Sequence, residues 1–244
     1  MHPSVNHLPL DFSRRWMVRV VLCGVALVAA AWALAGPITA MLASPSVSSA
    51  DAHAAVWLHT HAGPAAMSAF AVLTWLHDTA GILALAAVFG ACMWRTRWHA
   101  MWPLLVASIP GGLLLNAAVK QAVQRARPKW GYAYETIASY SFPSGHTAGA
   151  VVLYGFLLLL LCPSLRSSLA RSALLVVSVA MVLLVACSRI ALGVHFLSDC
   201  IAAACEGALW LAVCWTGVRL SPTDGKPVWA RQAVAASHRS EHSR

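Results

Sequence analysis

The sequence predicts an all-α membrane protein: a polytopic helical bundle of about six transmembrane helices with N- and C-termini cytoplasmic. Three observations predict it. Of the 244 residues, 59% are hydrophobic and only 10% charged, whereas soluble domains carry about 25% charged residues. Several apolar runs approach or exceed the roughly 18 residues that mark a membrane span, and they are continuous where transmembrane strands would alternate. The cations lie mostly between these runs, which is how membrane topology is written. That placement accounts for the net charge of +9 and argues against nucleic acid as a partner, which would require a clustered exposed patch.

Residues 1–19 read as a cytoplasmic N-terminal segment, 20–218 as one six-helix membrane domain, and 219–244 as a mobile cytoplasmic tail rich in Pro, Ser and His. The first helix covers 20–43. It is taken as retained, because its apolar run exceeds the roughly 7–15 residues of a signal-peptide core, although the small residues of "SSADA" offer a cleavage point. Residues 44–64, rich in Ser, Ala and His, read as an exposed loop, and 67–76 as an apolar interfacial segment. The second helix covers 79–94 and the third 98–119, with a bend expected where Pro110 removes a hydrogen bond. A polar loop spans 120–145. The fourth, fifth and sixth helices cover 146–162, 169–187 and 195–218. The seven cysteines, Cys23, Cys92, Cys162, Cys187, Cys200, Cys205 and Cys214, lie in or beside apolar runs with no Cys-x-x-Cys pair, and read as small buried apolar residues.

Arg14, Arg15 and Arg19 precede the first helix, Arg95 and Arg97 join the second and third, Arg166 and Arg171 the fourth and fifth, and Arg219, Lys226 and Arg231 follow the sixth. These alternate junctions share one face, which the positive-inside rule makes cytoplasmic. Trp16, Trp94, Trp98, Trp102 and Trp215 form an aromatic belt there. Lys120, Arg125, Arg127, Lys129 and Arg189 break the pattern by falling on the opposite, outer face, so these charges answer another demand.

Three stretches share that outer face: "KQAVQRARP" (120–128), "PSGH" (143–146) and "SRIALGVHFLSD" (188–199). Lys120, Arg127 and Arg189 supply three cations, and arginine forks match phosphate oxygens. The helix start at "PSGH" adds backbone N–H groups and the positive end of a helix dipole. Gly145 permits close approach of a ligand to the backbone, Ser144 carries a hydroxyl donor, and Pro143 fixes the turn. A phosphate fits this donor set. His195 and Asp199 are four apart, within reach on one helix face. A carboxylate on one ring nitrogen leaves the lone pair of the other free to attack, and His146 is placed to protonate a leaving oxygen. Two histidines and one carboxylate crowded by Lys and Arg would repel a metal ion, so no metal or other cofactor is expected.

These stretches resemble the three signature motifs of the type-2 phosphatidic acid phosphatase superfamily, K-x6-R-P, P-S-G-H and S-R-x5-H-x3-D, matched at every specified position and in order. The resemblance covers residues 67–220. It implies a six-helix, metal-independent membrane phosphatase acting on a lipid phosphate or diphosphate: phosphatidic acid, phosphatidylglycerol phosphate or undecaprenyl diphosphate. It implies that His195 attacks phosphorus to form a phosphohistidine, with Asp199 orienting it and His146 protonating the leaving group. Lys120, Arg127, Ser144, Gly145 and Arg189 would hold the phosphoryl oxygens. The expected setting is the inner (plasma) membrane with the site facing the periplasm or cell exterior.

Two other functions remain open on the sequence: a lipid phosphotransferase using the same site, and a non-catalytic protein that binds lipid headgroups. Arg125 and Lys129, outside the motif, read as interfacial anchors, and Trp130, Tyr132 and Tyr134 as an outer aromatic belt. Glu206 lies seven residues after Asp199 on the same inward face. It reads as a hydrogen-bonded carboxyl that packs the sixth helix, or as a functional intramembrane acid.

Overall fold

The structure is a computed structural model that describes residues 14–95, 101–129 and 139–219. The described residues form helices joined by turns, with no strand among them. In chain order these are α1 (Arg14–Ala33), α2 (Ala35–Leu42), α3 (Pro45–His61), α4 (Pro64–Leu76), α5 (Thr79–Trp94), α6 (Trp102–Val123), α7 (Gly145–Leu161), α8 (Ser168–Ala191) and α9 (Leu197–Arg219). Five are long and apolar enough to span a membrane: α1, α6, α7, α8 and α9. Helices α4 and α5 meet at 61° and together have the length and composition of one more candidate span, broken or re-entrant. At about 1.5 Å per residue, the 16 residues of α5 reach about 24 Å, short of the roughly 30 Å hydrocarbon core, so α5 alone does not complete a crossing.

The chain is therefore a multi-pass membrane bundle. Its centre is α7, packed against α5, α6, α8 and α9, while α1 covers α6 and α9. Leu104, Ile109, Leu153, Phe156 and Trp210 lie in one apolar core. Large apolar side chains such as Trp75, Trp94, Leu114 and Leu169 face outward, as a lipid-facing surface requires. Helix α6 continues as a single helix through Pro110. Trp210 lies against Gly111 and Gly112, where a Cβ would come within 2.9 and 3.1 Å of its ring. Its Nε1 donates to the carbonyls of Ala107 and Ser108 beside the proline.

Several boundaries move. Residues 45–61, expected as a loop, are helix α3. Pro45 opens it without disturbing any hydrogen bond, and its buried face is Asp51 and Ala55, one turn apart. A face made of one small and one polar residue gives no hydrophobic period to detect. The interfacial segment is α4, which packs along α8. The third helix is shifted to Trp102–Val123, so Lys120 lies in its last turn rather than in the loop, and Gln124 ends it in a left-handed conformation (φ 52°). The fifth helix runs on to Ala191 and takes in Arg189. The sixth starts at Leu197, which leaves His195 in the preceding turn. Helix α1 begins at Arg14, so Arg14–Arg19 are helical. Cys23, Cys92 and Cys205 are exposed rather than buried, and only Cys200 and Cys214 are fully buried. Residues 130–138, with Trp130, Tyr132 and Tyr134, lie outside the described residues, as do Trp98 and Arg97.

Candidate active site

Chain direction gathers the site at one end of the bundle. Helix α6 begins with Trp102 and ends near Lys120, α7 begins at Gly145, α8 ends near Arg189, and α9 begins two residues after His195. The opposite end carries Trp16, whose Nε1 donates to the Cys214 carbonyl, and the edge-to-face pair Trp94–Trp102.

The α8–α9 turn presents His195. Gly193 takes a left-handed φ of 72°, and the N–H groups of Val194 and His195 both donate to the Arg189 carbonyl. Asp199, at the third position of α9, reaches back to accept from the Phe196 N–H at 3.0 Å, a carboxylate capping the helix start. The histidine and aspartate therefore meet across a helix start, not on one helix face as the four-residue spacing implied. Their Nδ1–Oδ2 distance is 3.4 Å. Ser141 donates to the same oxygen at 2.5 Å.

On the other side of the ring, Arg127 Nη1 lies 3.1 Å from His195 Nε2 and 2.8 Å from the Val194 carbonyl. A guanidinium only donates, so Nε2 is the acceptor and the ring proton sits on Nδ1, facing Asp199. Burial holds the imidazole neutral and pushes its pKa down to about 3. Arg127 and Arg189 act in the same direction, and the Asp199 hydrogen bond opposes them. His195 is thus a neutral ring with its lone pair on Nε2.

The turn at 143–146 is strapped to this pair. The Ser144 N–H donates to the Asp199 carbonyl at 3.2 Å, and the Thr147 hydroxyl donates to Ser144 Oγ. Gly145 lies so close to Asn116 that a Cβ would sit 3.2 Å from its Oδ1. Lys120 Nζ donates to the carbonyls of Tyr140 (3.0 Å), Ser141 (3.3 Å) and Pro143 (2.5 Å), and so ties the segment before α7 to α6. Arg189 is fully buried, and its Nη1 donates to Thr74 Oγ1 of α4 at 2.8 Å. His146 is half-buried, and Arg189, His195, Arg127 and Lys120 all lie near enough to act on it electrostatically.

All eight expected site residues are therefore brought to one end of the bundle. Sequence reasoning missed Ser139 and Ser141, which hold Arg127 and Asp199, and Thr74, which holds Arg189. Small hydroxyls in loops give no signal by residue type. It also misread Arg125, which is no interfacial anchor: Nη1 donates to Asp199 Oδ1 at 2.6 Å and Nη2 to Asp51 Oδ2 at 2.8 Å. A detectable sign existed, since Asp51 is one of only eight acidic residues in the chain. Glu206 accepts from Asn116 at 2.7 Å and lines a cavity of about 190 Å³ with Leu27, Phe142, Pro143 and Leu209.

Residues 100–221 match the family model described as the PAP2 superfamily. Phosphatidylglycerophosphatase B of Bacillus subtilis (strain 168) is 32% identical over 130 residues, 52% of this chain and 63% of that protein. The match thus spans less than two thirds of that relative's length. A crystal structure of a transmembrane PAP2-type phosphatidylglycerolphosphate phosphatase from Bacillus subtilis superposes with a TM-score of 0.64 at 25% identity, covering 84% of this chain and 96% of that one.

Proposed function

The chain belongs to the PAP2 superfamily, and on that premise we propose that it is a metal-independent membrane phosphatase that hydrolyses lipid phosphates or diphosphates through a phosphohistidine at His195. The observation that carries the proposal is the hydrogen-bonded state of His195. Its Nδ1 faces a buried carboxylate, its Nε2 lone pair faces an arginine, and both stand beside a helix start lined by further cations.

In the first step Arg127, Arg189 and the N–H groups at the start of α7 take the phosphoryl oxygens, and Arg127 gives up its bond to Nε2. That lone pair attacks phosphorus, the bond to the leaving oxygen breaks, and His146 gives that oxygen a proton. Asp199 stabilises the positive charge that develops on the imidazole. In the second step His146 takes a proton from water, the oxygen attacks phosphorus, and the P–N bond breaks to restore neutral His195. Most of the rate comes from positioning and charge stabilisation, the usual balance in phosphoryl transfer.

The site's depth at the helix ends suits a headgroup presented by the bilayer. The names of the relatives favour phosphatidylglycerol phosphate over phosphatidic acid and undecaprenyl diphosphate. The cation asymmetry supports an inner-membrane protein whose site faces the periplasm or cell exterior. The test is phosphate release by detergent-purified protein from a panel of lipid phosphates and diphosphates. Free phosphate without an acceptor lipid, undiminished by EDTA, is expected. Phosphoryl transfer to a second lipid with no free phosphate would identify a phosphotransferase, and headgroup binding without turnover a non-catalytic protein.

A further inference from the structure

The Asp199 carboxylate accepts four hydrogen bonds. Its Oδ2 accepts from Ser141, Phe196 N–H and His195, and its Oδ1 from Arg125. Arg125 is itself held on every side. Its second arm is on Asp51, Nη1 also donates to Ser198 Oγ at 2.8 Å, and its guanidinium carbon lies 3.9 Å from the centroid of the Phe196 ring. Asp51, buried on α3, accepts from the N–H and hydroxyl of Ser198 at 2.8 and 2.7 Å, so it also fixes the first turn of α9. One cation thus bridges two buried carboxylates drawn from helices nearly 150 residues apart.

We propose that Arg125 and Asp51 are positioning residues: Asp51 orients Arg125, and Arg125 fixes the Asp199 carboxylate so that Oδ2 faces His195. This rests on the phosphatase reading of the same site. With Oδ1 occupied by the fork, the carboxylate cannot rotate away, and the ring proton stays on Nδ1. With its other arm on Asp51, Arg125 stays on the carboxylates and leaves the phosphate to Arg127 and Arg189. The three outer-face arginines thereby divide into two that meet the ligand, Arg127 and Arg189, and one that sets the machinery. Helix α3 contributes to the site from outside the three sequence stretches.

The test pairs steady-state kinetics with histidine-selective 15N NMR of the full-length protein in detergent, His195 being assigned by the signal lost in His195→Ala. The charged and titratable groups around His195 are Asp199 on α9, Arg127 after α6, Arg189 on α8 and His146 on α7. Arg125→Gln should lower kcat about 10- to 100-fold, the usual loss for a residue that orients a working group, with KM changed far less. It leaves Asp199 less neutralised, so His195 protonates at higher pH and the acid limb of kcat/KM moves up. Arg125→Lys keeps the charge and restores the limb, but kcat stays low because one ammonium cannot span both carboxylates. Asp51→Asn loosens Arg125 without removing it, so kcat falls with no upward shift. All three variants should lose part of the Nδ1-protonated tautomer, and exposed Lys129→Gln should change nothing. If Arg125→Gln does not fold, Arg125→Lys and Asp51→Asn carry the tautomer test. A fall in kcat with limb and tautomer unmoved would mark a merely structural arginine and overturn the proposal. If the wild type releases no phosphate from any lipid, the phosphatase function falls instead, and the NMR arm alone decides the positioning claim.

Discussion

The two histidines of the site are held in opposite ways. His195, before α9, is buried and bonded on both ring nitrogens, by Asp199 on one side and Arg127 on the other. His146, at the start of α7, is half-buried and has no hydrogen-bond partner for its ring among the described residues, only cations nearby. A nucleophile gains from being fixed in one tautomer before substrate arrives, since preorganised groups need no rearrangement in the transition state. A general acid must follow the leaving oxygen of whatever ligand binds. Fixed structure on α9 and open structure on α7 fit that division.

Removing each side should give unlike results. His195→Ala removes the proposed attacking atom and should lower kcat by at least about 10⁴-fold for every substrate, measured as phosphate release. His146→Ala should cost about 10²- to 10⁴-fold with an alkyl phosphate, and far less with an aryl phosphate lipid whose leaving oxygen needs no proton. An equal loss on both substrates would remove His146 from the acid role.

Arg127→Ala should lower kcat about 10²- to 10³-fold and also change the pH profile. Burial, then Arg127, holds His195 down at about 3, so the wild type should show no acid limb from this group between pH 5 and 7. Without Arg127 the limb should rise towards that range. The same depression makes stability pH-dependent. Between about 3 and the ordinary 6.5, the unfolded chain binds a proton that the folded chain does not, so the His195 contribution to stability rises with pH across that window and is lost as pH falls through it. Thermal melts at pH 4 and pH 7 check the sign. The smallest effect belongs to Glu206→Gln. It keeps an acceptor for Asn116 and removes a buried carboxyl, so kcat should stay within about twofold and the melting midpoint should hold or rise.

The membrane bundle was legible because continuous apolar runs and alternating cations are long-range signals that no packing detail can erase. Helix α3 was not, because its buried contacts are Asp51 and Ala55, which carry no apolar period. The His195–Asp199 contact was expected for the wrong geometric reason: the spacing was read as one helix face, while Gly193 and the capping carboxylate bring the pair together across a turn. Arg125 was misassigned because a cation at a helix end looks the same in sequence whether it faces water or bridges two buried acids. Its partners, Asp51 and Asp199, lie on two other helices that only folding brings beside it.

The most direct test is to mix radiolabelled phosphatidylglycerol phosphate with the purified protein, quench in alkali, where phosphohistidine survives, and locate the label by mass spectrometry. Label on His195 within the first turnover, absent from His195→Ala, is the expected result. Turnover without label on His195, or label on another residue, would contradict the account.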